Sequence, residues 1–305
     1  MKKTLIALAA VAATSAFAQS TVTLSGQLDI GVQKLSDSKA ALTETHGSRF
    51  RLLGTEDLGG GLKASFNLEN RSKLASGTAT NVGAQEFWNG TSTLGLSGSF
   101  GTIDLGRQYT AGFISANNMA DPFGGDGAGA LRTVGMRTIN TNGTLRVASS
   151  IGYKNAFGPV SVHVTSGDQL TGTQRALGYA VGYANGPISA GFGKDAGVAD
   201  DQVTNAYAGY DFGAAKVTVG YGKTGGTLAK TTGYMVGVSA PMGAGVIKAG
   251  YATADDAAGT QTNSKFGIGY SYNLSKRTRV DFTAGNDSKV TTNKSGYDVT
   301  LTHAF

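Results

Sequence analysis

The sequence contains no cysteine and only four prolines in 305 residues. The absence of cysteine excludes a disulfide framework and metal sites built from thiolates. The histidines are three, His46, His163 and His303, and they lie far apart in the chain. We therefore expect no histidine-based metal centre and no cofactor. After residue 18, no apolar run approaches the roughly 20 residues that a membrane-spanning helix needs.

The N-terminus has the pattern of a secretory leader. A short basic stretch, Met1 to Lys3, precedes an apolar run from Leu5 to Phe17, and small residues stand at positions 16 and 18. We predict that residues 1–18 are a cleaved signal peptide and that 19–305 form a single domain. The alternative, an N-terminal membrane anchor, would need a run of roughly 20 apolar residues.

The charge of the mature chain is small and dispersed. Loss of the two leader lysines leaves 24 basic against 20 acidic side chains, a net charge of +4. The basic residues form no cluster, so we expect no binding of nucleic acid.

Along the chain, apolar and polar residues alternate with a period of two. In residues 22–32, Val22, Leu24, Leu28 and Ile30 alternate with polar residues, as in a strand with one apolar and one wet face. The same pattern recurs to the C-terminus, and 47 glycines and 12 tyrosines suit an all-β chain with many turns. We predict about sixteen strands, at 22–33, 48–55, 62–71, 91–97, 102–108, 145–154, 159–167, 175–184, 187–194, 203–212, 215–223, 231–240, 245–253, 264–274, 278–286 and 296–305.

The connections between these strands alternate in length. Short turns, such as 185–186 and 213–214, alternate with longer polar loops. An even number of antiparallel strands, with short turns at one rim and longer loops at the other, is typical of a closed transmembrane barrel with both termini on the periplasmic side. The alternative is a soluble β-sandwich, which must pack its apolar faces together and gains nothing from alternating loop lengths.

One connection, from about Thr110 to Leu145, is too long for a turn and has no alternating strand. Loops of this length are usually functional or disordered. A loop folded into the lumen would place the carboxylates of Asp121 and Asp126 in the water channel. The alternative is an exposed surface loop.

Several motifs resemble one family. Residues 47–69 (GSRFRLLGTEDLGGGLKASFNLE) and 99–109 (SFGTIDLGRQY) resemble strand signatures of Gram-negative trimeric porins, most closely the betaproteobacterial type, as do the first strand and residues 303–305. The resemblance therefore covers nearly the whole mature chain. Residues 121–126 (DPFGGD) are similar to the constriction loop of the more distant enterobacterial general porins, and 146–153 (RVASSIGY) to the strand after it.

The resemblance implies an arginine cluster on the barrel wall that faces the acids of the loop. The matching arginines here are Arg49, Arg107 and Arg146. Facing charges of opposite sign would set a transverse field across the narrow zone. Two positive residues usual in betaproteobacterial members are absent, at Leu53 and near Gly90, which weakens any transfer of the family's anion preference.

The parity of the strands tests these arginines. On the second predicted strand, Phe50 faces outward, so Arg49 and Arg51 face inward; Arg71 also has inward parity and, with Arg51, is a candidate replacement for the missing positive charges. Arg107 would face lipid by strict alternation, which costs roughly 2–4 kcal/mol at mid-bilayer. We therefore expect a bulge or strand end before it. The alternative places Arg107 at the aqueous rim.

The resemblance implies an outer-membrane homotrimer for passive diffusion of small hydrophilic solutes and ions, with at most a modest anion preference. Its partners would be membrane lipid, lipopolysaccharide and the assembly machinery, which reads the terminal Phe305. A barrel enzyme is disfavoured, because the histidines lie beside no convincing serine motif. A structural or adhesive barrel without an open channel is the other alternative, but sixteen strands enclose a space too wide for side chains to fill.

Overall fold

A computed structural model of the chain describes residues 20–79, 87–136, 145–168, 175–197, 202–226 and 228–305. The predicted signal peptide lies outside the described residues. None of the helices in these ranges combines the length and the apolar character needed to cross a membrane.

The described residues form one antiparallel sheet of 18 strands that closes on itself, because β1 pairs with β18 on one side and with β3 on the other. The strands are β1 Thr21–Leu35, β2 Ala41–Thr43, β3 Ser48–Gly59, β4 Leu62–Lys73, β5 Thr78–Ala79, β6 Ser92–Gly98, β7 Gly101–Tyr109, β8 Arg146–Phe157, β9 Val160–Asp168, β10 Arg175–Asn185, β11 Ile188–Ala196, β12 Gln202–Asp211, β13 Lys216–Gly225, β14 Thr232–Met242, β15 Gly245–Asp255, β16 Gln261–Asn273, β17 Thr278–Asp287 and β18 Ser295–Ala304. The sixteen longer strands confirm the predicted set. The short strands β2 and β5 were not predicted, and they lie beside β1 and β4.

The alternation along β18 shows why the sheet closes. Tyr297, Val299 and Leu301 are 40–53% exposed on the outside, whereas the intervening Asp298 and Thr300 are at most 1% exposed on the inside. A closed sheet pairs the backbone groups of its edges and leaves an apolar exterior, which is stable only in lipid. The sandwich alternative is therefore wrong.

The two rims differ as the loop lengths predict. Tight turns join alternate strand pairs at one rim, and glycines with positive φ make them, as at Gly60 (φ 61°) and Gly186 (φ 54°). The strand ends that the longer connections join, including those of β7 and β8, lie at the other rim. The beginning of β1 and the end of β18 share the rim of the short turns, because the number of long strands is even.

Residues 110–136 of the long connection lie inside the barrel. This described part contains three short helical turns, Phe113–Asn117, Asn118–Ala120 and Arg132–Gly135, and no strand. The Thr110 hydroxyl donates to Asp195 Oδ2 of β11 at 2.8 Å, and the Gly129 amide donates to Thr283 Oγ1 of β17 at 3.1 Å. Both acceptors belong to inward-facing side chains, so the alternative of an exposed surface loop is wrong.

The hydrophobic core of the described residues lies between this loop and the wall. Buried loop residues such as Leu131 and Met136 pack in one cluster with wall residues such as Tyr207 and Met235. The apolar residues of the loop are thus buried against the inner wall, and this packing holds the loop against it.

Candidate functional site

The inner wall of the barrel carries a cluster of arginines on β3 and β4. In the register of these strands, Arg49 lies opposite Arg71, and Arg51 lies opposite Glu69. Since Phe50 and Leu52 have the opposite parity, these four side chains share the inner face, as the alternation predicts for the arginines. Like charges directly opposite each other are unfavourable, so the cluster needs a counter-charge.

Glu69 supplies this counter-charge. Its carboxylate lies 3.1 Å from Arg146 Nη2, 3.3 Å from Arg51 Nε and 3.8 Å from Arg71 Nε, and the residue is only 4% exposed. Glu69 is not among the site residues that the sequence predicts. The available signal was its inward parity, in the same strand as Arg71.

Glu69 also explains one departure from the family pattern. A Cβ atom on Gly90 would lie 2.4 Å from Glu69 Oε1, so a larger residue at position 90 would displace the carboxylate. The buried position of Glu69 therefore requires a small residue at position 90 and leaves no room there for a positive side chain.

Arg49 is held by neutral groups. Its Nη2 donates to Gln27 Oε1 at 3.0 Å, and its Nη1 donates to the Gly47 carbonyl at 3.3 Å. Because neither acceptor is charged, Arg49 keeps its full positive charge in the lumen.

The expected bulge before Arg107 is present. Gly106 has φ +124°, which favours glycine, and the β7–β8 register shifts between Gly106 and Gln108. The Arg107 Nε then donates to the carbonyls of Asn89 (3.3 Å) and Gly90 (3.2 Å), in the segment before β6. The bulge thus places Arg107 near the backbone that borders Glu69.

Arg146 connects the wall to the root of the loop. Its guanidinium lies over the ring of Tyr109 at 3.9 Å from the centroid and also donates to the Tyr109 hydroxyl. Tyr109 in turn stacks on Phe113, with ring centroids 4.8 Å apart and an interplanar angle of 18°. Arg132, in the last helical turn of the loop, lies 5.2 Å from the Phe113 ring on which it packs. Cation–π contacts of this type contribute about 0.5–2 kcal/mol each.

Asp121 does not lie in the water channel, and that expectation is wrong. It is 6% exposed, and its Oδ2 accepts from the amides of Leu131 and Arg132, both at 2.8 Å. Its Oδ1 accepts from the Phe123 amide at 2.9 Å. Asp121 therefore ties the two limbs of the loop tip together and offers no free carboxylate to a solute.

Asp126, at the loop tip, is partly exposed and interacts electrostatically with the wall arginines Arg49 and Arg71. Burial raises the pKa of its carboxyl to about 7, while the positive charges of Arg132, Arg49 and Arg71 act in the opposite direction. The loop thus brings the Asp126 carboxyl within electrostatic range of Arg49 and Arg71.

Toward the rim of the short turns, the lumen continues as a cavity of about 1050 Å³. Its lining includes Arg51, Leu53, Glu69 and Tyr109 at one end and Lys154 and His163 farther along. Leu53 therefore places an apolar side chain where the resemblance noted above implies a positive one. Within the described ranges, no group of three or more histidine and acidic side chains is arranged to hold a metal ion.

Comparisons with known proteins agree with this geometry. A sequence model of the Gram-negative porin family matches residues 4–292. Outer membrane porin protein 32 of Delftia acidovorans is 36% identical over 317 residues, which cover 92% of this chain and 88% of that protein.

Solved structures share the fold. The anion-selective porin from Comamonas acidovorans has a TM-score of 0.79 and 30% identity, over 94% of this chain and all of that chain. A trimer form of OmpT from Vibrio cholerae has a TM-score of 0.71 over 94% of this chain and 99% of that chain; at 16% identity, it shows the likeness of fold alone.

Proposed function

This chain belongs to the Gram-negative porin family, and on that basis we propose that it lets small hydrophilic solutes and ions diffuse passively, with a modest preference for anions. It is an outer-membrane channel and not an enzyme. The comparisons give no support to a structural or adhesive barrel without a channel.

The observation that carries the anion preference is the local excess of positive charge around Glu69. Arg49, Arg51 and Arg71 form the cluster on β3 and β4, and Arg107 of β7 and Arg146 of β8 lie beside it. Glu69 pairs with three of these five arginines, Arg51, Arg71 and Arg146. An excess of one sign in a confined channel concentrates ions of the other sign. The anion selectivity named for the Comamonas acidovorans porin supports this sign.

We further propose that the inward loop forms the constriction. Asp126 would face Arg49 and Arg71 across the narrow zone and produce a transverse field, while Asp121 would act inside the loop. Such a field orients polar solutes and water as they pass.

The assembly is also proposed. The trimer form of the similarly folded OmpT supports a homotrimer, and the apolar exterior suits contact with outer-membrane lipid and lipopolysaccharide. Residues 1–18 would direct export and be removed. Cross-linking of the protein in native outer membranes, with separation by mass, tests the trimer.

Replacing Arg49 with alanine should shift selectivity toward cations. Arg49 forms no salt bridge with an acid among the residues that the structure describes, and its hydrogen bonds go to neutral acceptors, so its loss removes a positive charge from the lumen. Reversal potentials in a salt gradient across a planar bilayer should show a chloride-to-potassium permeability ratio lowered about twofold. The control is Arg277→Ala, which removes an exposed arginine of the β16–β17 turn. Equal reversal potentials in both variants would exclude Arg49 from the constriction, and wild-type protein without stepwise conductance would refute the channel.

The anion preference should also rise as the pH falls through about 7. Asp126 loses its negative charge in this range, because burial raises its pKa to about 7, so the lumen becomes more positive below it. Burial lowers the pKa of His46, in the connection before β3, so this histidine titrates below its ordinary range. Reversal potentials about one unit either side of pH 7 should differ in the wild type. Asp126→Asn should keep the low-pH value throughout, whereas Asp37→Asn, at an exposed acid of the β1–β2 loop, should behave as wild type.

A further inference from the structure

Four glycines lie side by side on the inner wall beneath the loop tip. Gly237 of β14 pairs with Gly250 of β15, Gly250 pairs with Gly267 of β16, and Gly267 pairs with Gly285 of β17. These residues, hereafter the glycine row, run across four neighbouring strands at one level. None of them has a positive φ, so the backbone conformation does not require glycine there.

What requires glycine is the closeness of the loop. A Cβ atom on Gly267 would lie 2.1 Å from the Gly129 carbonyl oxygen, and one on Gly285 would lie 2.2 Å from the Ala128 carbonyl oxygen. Such distances do not occur in folded proteins, and a loop carbonyl, unlike a flexible side chain, cannot rotate away alone.

The other two glycines of the row receive side chains of the same loop. A Cβ atom on Gly237 would lie 2.5 Å from Pro122 Cδ. One on Gly250 would lie 2.5 Å from Leu131 Cδ1 and 2.6 Å from the Val236 carbonyl oxygen of the neighbouring strand β14. The row therefore forms a shallow groove that contacts both limbs of the tip, on either side of Asp126.

Hydrogen bonds hold the tip in this groove. The Ala128 amide donates to Asp298 Oδ2, and the Gly129 amide donates to Thr283 Oγ1 at 3.1 Å. The Thr283 hydroxyl in turn donates to Asp298 Oδ2 at 2.8 Å. The side chains of Asp298 and Thr283 thus bind the tip to the wall, and the four glycines, which have no side chains, allow the tip to approach closely.

We infer that the glycine row is a positioning element for ion selectivity: it sets how far the loop tip stands from the wall, and so the free width of the lumen and the place of Asp126 relative to Arg49 and Arg71. This inference rests on the proposed channel function. A methyl group added to the row lifts the tip into the lumen, which narrows the path and moves the Asp126 carboxylate toward the arginines.

The test compares Gly267→Ala and Gly285→Ala with Gly182→Ala, each in the full-length protein reconstituted in planar bilayers. Gly182 is an inward-facing glycine of β10 whose added Cβ would have one close contact, the rotatable Ser161 hydroxyl at 2.6 Å, and would lie 4.0 Å from the nearest backbone atom. We expect both row variants to lower single-channel conductance in potassium chloride about 1.5-fold and to change the reversal potential. Gly182→Ala should keep both wild-type values.

Row variants that match Gly182→Ala in conductance and reversal potential would overturn the inference and leave the channel function intact. Wild-type protein that gives no conductance steps would instead refute the channel itself. Should neither row variant assemble, Gly267→Ala is repeated with residues 123–130 replaced by a short linker. Assembly of that variant supports the inference, because only the loop then opposes the methyl group; failure to assemble shows that the sheet itself needs glycine and overturns it.

Discussion

Replacing Glu69 with glutamine should raise the anion preference of the channel more than any other single neutralisation of an acid in the lumen. Glu69 lies within 4 Å of three guanidinium groups, so its charge offsets the cluster at its centre. Glutamine has nearly the same size and can still accept a hydrogen bond from Arg146. The substitution therefore removes one negative charge and leaves the shape of the lumen almost unchanged.

The size of the effect follows from Coulomb's law. A unit charge about 5 Å from a passing ion in water contributes about 0.8 kcal/mol, which changes the local ion concentration about fourfold. Screening by salt reduces this value, so the permeability ratio should rise about two- to fourfold at low ionic strength and less at high ionic strength. Reversal potentials at two salt concentrations measure both quantities.

Glu69→Gln should also destabilise the barrel, because Arg146 and Arg71 lose their common counter-ion. Removal of one partner from a buried ion pair costs about 3–5 kcal/mol, and the partly wet lumen reduces this cost. The temperature at which the protein changes from the electrophoretic mobility of the folded barrel to that of the unfolded chain should fall. Glu56→Gln is the matched control, since Glu56 is an exposed acid at the end of β3. An unchanged reversal potential in Glu69→Gln would show that permeating ions do not sense this charge.

The strands were predictable because alternation directly reports the environment of each side chain. On β18, every second residue contacts lipid and every other one contacts the interior, so the sequence pattern carries the register. The strands β2 and β5 have three and two residues, and a period of two cannot be recognised over such lengths. Their pairing depends on where the loops bring them.

The site was predictable where it follows parity and unpredictable where it depends on the loop. Arg49, Arg51 and Arg71 are inward by alternation, and the bulge before Arg107 follows from the cost of the opposite placement. The prediction for Asp121 is wrong, because the contacts of this residue are with amides ten and eleven residues away that fold back onto it. No periodic pattern encodes that contact.

Composition alone also hid the role of the glycines. Some of the 47 glycines make turns with positive φ, whereas the glycine row has ordinary strand geometry. What distinguishes the row is the alignment of Gly237, Gly250, Gly267 and Gly285 across paired strands, which appears only once the register is known. The same loop contacts that the sequence could not reveal thus explain both the glycine row and the burial of Asp121.

Replacing Phe305 with alanine should sharply reduce the amount of assembled barrel in cells and affect refolding in detergent far less. The Phe305 amide donates to the Gly26 carbonyl at 3.1 Å, and its carbonyl accepts from the Gly26 amide at 3.0 Å, so the last residue completes the closure of β18 on β1. Alanine keeps both backbone bonds and removes only the ring, which packs over Gly26 and is 38% exposed. The lost burial is worth about 1–2 kcal/mol, too little to prevent folding of the purified chain.

A large loss in cells with a small loss in detergent would therefore assign the ring to recognition by the assembly machinery rather than to closure. Phe212→Ala is the control, since Phe212 is an exposed aromatic residue that follows β12 at the same rim. Phe305→Tyr should restore assembly, because it returns an aromatic ring to the terminus. Equal losses of assembled barrel in cells and in detergent would contradict a role of the ring in recognition, because the ring would then act through the stability of the β1–β18 pairing.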